Sequence, residues 1–118
     1  MKKVSVINLN NHSDNRGCLY SLEEFEFDIS RMFFIGINSM GTSRGNHGHK
    51  KCWQIFIPVN GFITVSVKST DEISEFKIVE GDALIVPPNN YCTINFENTE
   101  VRVFVLASHK YDKNDYYK

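Results

Sequence analysis

Polar breaks cut this chain into short apolar runs, and the runs carry the spacing of strands rather than helices. Residues 33–37 (Phe-Phe-Ile-Gly-Ile) and 53–59 (Trp-Gln-Ile-Phe-Ile-Pro-Val) are apolar over strand length. Asn60-Gly61, which follows, is a hairpin-turn signal. Residues 62–68 then alternate: Ile63, Val65 and Val67 point one way, and Thr64, Ser66 and Lys68 the other. A polar turn at Ser69-Thr70-Asp71-Glu72 leads to a short strand at 74–79, and Glu80-Gly81-Asp82 turns again. Residues 83–86 form a further strand that ends at a rigid loop, Pro87-Pro88-Asn89-Asn90. Strands at 91–96 and 101–106 complete the set, the last reading as a buried run of Val101, Val103, Phe104, Val105 and Leu106. A first strand is expected around residues 4–7. Only Ser21-Leu22-Glu23-Glu24-Phe25 has the make-up of a helical turn, and it serves equally as a bend. Turns that recur about every 8–12 residues between short strands predict an all-β, antiparallel sandwich or barrel. One domain over residues 1–118 is expected, with no linker or repeat. The tyrosine-rich tail, 109–118, either frays or lies over the barrel or a partner subunit.

Composition narrows the function. The 118 residues are 42% hydrophobic and 13% aromatic, enough for a real core. A formal net charge of −1 argues against nucleic-acid and polybasic membrane-surface partners. No apolar run approaches the roughly 20 residues that span a bilayer. The apolar stretch after Lys2-Lys3 ends at Asn8, too soon for a signal peptide, so a cytoplasmic protein is expected. Cys18, Cys52 and Cys92 form no CxxC pair, which predicts free thiols, with Cys52 packed in the core. His12 and His109 read as surface residues, Lys50 and Lys51 as rim charges, and Asp71, Glu72 and Asp82 as turn residues.

The chemistry sits in Gly45-Asn46-His47-Gly48-His49, followed by Gln54 and Gly61. Histidines at i and i+2 on a strand share a face. If that face is the inside of a closed roll, two imidazoles meet in one cavity, suited to moving protons or binding a metal. The spacing of His47, His49, Gln54 and Gly61 resembles the first motif of the cupin superfamily. Gly81, Pro87 and Asn89 resemble the start of its second motif. The resemblance implies an antiparallel jelly-roll (cupin) β-barrel, RmlC-like. Metal cupins normally carry Glu at the position of Gln54 and a third His at that of Cys92. No metal and no cofactor are therefore expected, with a site of His47, His49 and Cys92 as the alternative.

Further strings narrow the family. Arg44-Gly45-Asn46-His47-Gly48-His49-Lys50-Lys51 resembles the RGxHAHK signature of the sugar-nucleotide 3,4-ketoisomerases, which act on dTDP-4-keto-6-deoxyglucose. Asp14-Asn15-Arg16-Gly17-Cys18-Leu19 with Glu23 resembles their N-terminal element. Phe27-Asp28-Ile29-Ser30-Arg31, then Phe33-Phe34-Ile35, resembles their F-x-I-x-R strand. Leu106-Ala107-Ser108, Tyr111-Asp112 and Asp115-Tyr116 resemble their tail. Phe33 and Phe34 stand where the family often has tyrosine, Gly48 where it has Ala, and Tyr91 where it has Trp.

The resemblance implies an isomerase that moves the carbonyl of a dTDP-linked 4-keto-6-deoxyhexose from C4 to C3 through an enediol. It implies a homodimer, and a product used in deoxy-amino-sugar or surface-polysaccharide synthesis. His47 is assigned as the base at C3 and His49 as its partner. Arg16, Arg31 and Arg44 are assigned to the diphosphate or the enediolate. Gln54 orients an imidazole or hydroxyl, and Tyr91 stacks on the thymine or sugar. The alternatives are a related sugar-nucleotide epimerase and a non-catalytic sugar-binding cupin.

Overall fold

The computed structural model describes residues 3–70 and 72–118. Asp71, in an expected turn, lies outside the described residues, as do Met1 and Lys2. The described residues form twelve short strands and one 3₁₀ turn. These are β1 (Ser5–Asn8), β2 (Asn10–Asn11), β3 (Tyr20–Ser21), β4 (Arg31–Ile35), β5 (Ser43–His49), β6 (Gln54–Val59), β7 (Ile63–Ser69), β8 (Glu72–Ile78), β9 (Asp82–Val86), β10 (Tyr91–Phe96), β11 (Arg102–Ala107) and β12 (Tyr116–Tyr117). Two five-stranded antiparallel sheets, ordered β1-β9-β6-β11-β4 and β12-β5-β10-β7-β8, make the jelly roll. A small β2–β3 ladder stands apart from both sheets.

Alternation fills the space between the sheets. Ile63, Val65 and Val67 are buried as their spacing predicts, against Cys92, Ile94 and Phe96 of β10 and against Phe56, Leu84, Val103 and Val105 across the roll. Fully burying an aliphatic side chain of this kind contributes roughly 1.5–3 kcal/mol, so this cluster carries the sandwich. A second cluster lies on the outer face of the β9–β6–β11 sheet. There Ile55, Ala83 and Ile85 are covered by Leu9, Leu22, Phe27 and Trp53.

Several elements differ from expectation, each for a local reason. Residues 21–25 form no helical turn, because Tyr20 and Ser21 are drawn into the ladder with Asn11 and Asn10. Phe104 is not interior. The alternation of β11 turns it outward, where it stacks on Phe34 with ring centroids 5.7 Å apart. Glu72 and Asp82 open β8 and β9 rather than sitting within turns, and Asp82 accepts a hydrogen bond from Asn8. The tail does not fray. A 3₁₀ turn at Lys113–Asp115, capped by the Asp112 side chain, returns the chain so that Tyr116 and Tyr117 pair with His49 and Gly48. The ring of Tyr117 fills the space beside Gly48 and leaves no room for a Cβ there.

Candidate active site

A β-bulge decides which side chains of β5 face inward. Ile94 pairs with Arg44, Thr93 with Gly45 and Cys92 with His47, so Asn46 is the extra residue. In a regular strand, Arg44 and His47 would point to opposite faces. The bulge puts both opposite the inward-facing Ile94 and Cys92. Gly45 has φ +89° and Asn46 φ +57°, and a Cβ on Gly45 would meet the Cys92 carbonyl oxygen at 2.9 Å. Glycine is required there by both conformation and space.

The result is a cavity of about 270 Å³ between the sheets. Arg31, Phe33, Arg44, His47, Gln54 and Tyr116 are among the residues that line it. Arg31 lies over the Phe33 ring at 4.3 Å, and Arg44 donates to the Gly36 carbonyl at 3.1 Å. His49 sits beside the cavity, at a small hollow whose walls include Arg31, Gln54 and Tyr116, all shared with the cavity. The rings of His47 and His49 are 5.1 Å apart, and Tyr116 packs against both, at 4.5 and 4.4 Å.

Hydrogen bonds fix the tautomers of both imidazoles. His47 Nδ1 is 2.7 Å from the Gly45 carbonyl, which only accepts, so Nδ1 carries a proton. His49 Nδ1 is 3.1 Å from Asp115 Oδ2. Burial alone would raise the Asp115 carboxyl. The backbone N–H groups of Lys51 and Cys52, together with the His49 ring, outweigh it and hold the carboxyl below its ordinary range. An ionised carboxylate only accepts, so His49 donates from Nδ1. Burial lowers the His49 pKa, a shift that the Asp115 hydrogen bond opposes. His49 is therefore neutral at neutral pH. Among the described residues none hydrogen-bonds its buried Nε2, which lies next to the cavity.

The residues expected at the site divide into three groups. His47, Arg31, Arg44 and Gln54 line the cavity, and His49 adjoins it. Tyr91 does not reach it. Alternation along β10 turns Cys92 inward and Tyr91 outward, into a surface groove with Lys68, Tyr117 and Lys118. Arg16 does not reach it either. In the Asp14–Gly17 turn its guanidinium is held by Asp14 at 2.6 Å, and its side chain is exposed. Asp115 and Tyr116 also stand against the two histidines, and sequence reasoning gave them no role. The only signal for them in the sequence is the tail element that contains them. At the cupin metal position Gln54 is a neutral amide, a poor ligand for a transition metal, and burial pushes the Cys92 thiol up to about 12.

The family profile described as FdtA, WxcM-like, C-terminal, matches residues 2–118. The chain belongs to this family. Among curated relatives, the TDP-4-oxo-6-deoxy-alpha-D-glucose-3,4-oxoisomerase of Aneurinibacillus thermoaerophilus is 31% identical over 115 residues, 94% of this chain and 83% of the relative. Among solved structures is a histidine-to-asparagine variant of the 3,4-ketoisomerase QdtA from Thermoanaerobacterium thermosaccharolyticum, in complex with TDP-4-keto-6-deoxyglucose. It superposes with a TM-score of 0.89 at 28% identity, over 99% of this chain and 88% of that one. The TDP-quinovose 3,4-ketoisomerase WlaRB of Campylobacter jejuni gives 0.87 at 26% identity, over 98% and 92%. The FdtA-type resemblance and the cupin jelly roll read from the sequence are both borne out.

The lowered His49 pKa has a sign. A histidine that resists protonation in the native state contributes stability above its unfolded pKa and loses it as pH falls. Unfolding free energy should fall as pH drops below about 6.5, as followed by urea denaturation. His49→Asn should flatten that slope. An unchanged slope would show that His49 titrates as it does in the unfolded chain.

Proposed function

We propose that the protein is a sugar-nucleotide 3,4-ketoisomerase acting on a dTDP-linked 4-keto-6-deoxyhexose. The observation that carries this reading is the pair of imidazoles with both Nδ1 atoms engaged, at a cavity lined by two guanidiniums. The proton at C3 of a 4-keto sugar is acidic. One imidazole Nε2 removes it, the charge spreads onto the C4 oxygen as an enediolate, the hydroxyl proton on O3 passes to O4, and protonation at C4 then leaves the carbonyl at C3. The reaction needs no electron carrier. Arg31 and Arg44 supply positive charge for the enediolate or the diphosphate. Gln54 steadies an imidazole or a sugar hydroxyl. Phe33 brings no hydroxyl to the cavity, and the phenol available there is that of Tyr116.

We assign the C3 proton to His49 and the C4 end to His47, the reverse of the order expected from the sequence. The Asp115 carboxylate is the reason. It stabilises the imidazolium that forms when His49 takes a proton, whereas His47 is backed only by a carbonyl. His47→Asn and His49→Asn should each lower turnover by about 10²–10⁴-fold. NMR in D₂O with a dTDP-4-keto-6-deoxyhexose separates the roles. His47→Asn should still exchange the C3 proton, and His49→Asn should not. The opposite pattern restores the original order. Carbon-bound exchange with the carbonyl still at C4 identifies an epimerase, and no exchange in the wild type identifies a sugar-binding protein.

The protein acts as a homodimer in this reading. Strand β4 is a sheet edge, and Met32 and Phe34 on its outer face are 61% and 63% exposed, with Phe104 stacked beside them. A second copy covers this apolar strip. Sedimentation should give the mass of a dimer, and Phe34→Glu should give a monomer. A wild-type monomer at micromolar concentration contradicts it.

A further inference from the structure

We propose that His49, Cys52 and Asp115 form a site for one soft divalent cation of the zinc class, and that filling this site switches off proton transfer. The second half rests on the ketoisomerase reading, but the first does not. Each residue offers one ligand atom (a ring nitrogen, a sulfur and a carboxylate oxygen), and these atoms all lie within 4.8 Å of one another. In a tetrahedral zinc site with metal–ligand bonds of 2.0–2.3 Å, ligand atoms stand roughly 3.3–3.7 Å apart. The widest separation would therefore have to close by up to about 1–1.5 Å. A thiolate and a carboxylate neutralise a 2+ ion, and sulfur with imidazole selects zinc over magnesium or calcium.

The backbone has already gathered the ligands. Lys51 N and Cys52 N both donate to the Asp115 carboxylate, and Lys50 N donates to the Asp115 carbonyl at 2.8 Å. The tail is thus tied to the β5–β6 turn that carries Cys52. A hollow of about 10 Å³ lies against all three residues, walled further by His109, Tyr111 and Asp112. That is space for one water-sized particle. The site shares His49 with the cupin metal position but uses neither His47, Gln54 nor Cys92.

Binding balances as follows. The cation displaces the Cys52 thiol proton, now directed at the Trp53 carbonyl at 3.3 Å, and this proton leaves to water. It also displaces the proton on His49 Nδ1, which reappears on Nε2. One proton is released in total. The ring then has no lone pair with which to take a proton from carbon.

Cobalt(II) titrated into the intact protein tests the site. One equivalent should give the near-ultraviolet thiolate-to-cobalt band with tetrahedral visible absorption, and zinc should displace both. Cys52→Ser and Cys52→Ala should each lose that band and weaken binding at least about tenfold. The metal-free isomerisation rate should be unchanged in EDTA, fall with added zinc and recover on chelation. In Cys52→Ser, zinc should leave that variant's own rate unaltered. No cobalt spectrum, or the same spectrum in Cys52→Ser, overturns the site whether or not the protein isomerises sugars. A Cys52-dependent spectrum with no zinc inhibition overturns the switch.

Discussion

The hydrogen bond between His49 Nδ1 and Asp115 joins two parts of the chain 66 residues apart, and the site depends on it. Asp115 reaches His49 because the 3₁₀ turn folds the tail back and β12 pairs with β5. The same return wedges Tyr116 against both imidazoles. Without the tail, β5 would still present two histidines, but their tautomers and packing would not be set together. The carboxylate keeps its charge through backbone donors from Lys51 and Cys52, so the turn after β5 helps to set the His49 tautomer.

The second constraint is the bulge at Gly45-Asn46. It converts a three-residue spacing into a shared face and so brings Arg44 to the cavity beside His47. Arg31 arrives from the opposite sheet, next to Phe33. Cations from two sheets therefore meet the histidines at one end of the roll. A migrating enolate needs this arrangement: a proton acceptor on the sugar ring and positive charge at the oxygens.

Much of this was legible in the sequence. The alternation at Ile63, Val65 and Val67 set the inner face of β7, and the i, i+2 histidines pointed inward as their spacing required. Where the reading failed, the deciding contacts were long-range. Tyr91 and Cys92 are adjacent, and only the register of β10 against β5 and β7 decides which of them faces the core. Arg16 is bound within its own turn, a contact that residue type alone does not reveal. The roles of Asp115 and Tyr116 came from how a polar tail folds back, which no hydrophobic period encodes.

The central claim is that His49 is a neutral base whose Nδ1 proton is held by an ionised Asp115. Nitrogen-15 NMR of the histidine side chains tests it most directly. At pH 7, His49 should show a protonated Nδ1 and a bare Nε2, with the Nδ1 proton shifted downfield by its carboxylate partner. An imidazolium at His49, or a neutral ring with its proton on Nε2, would contradict the account.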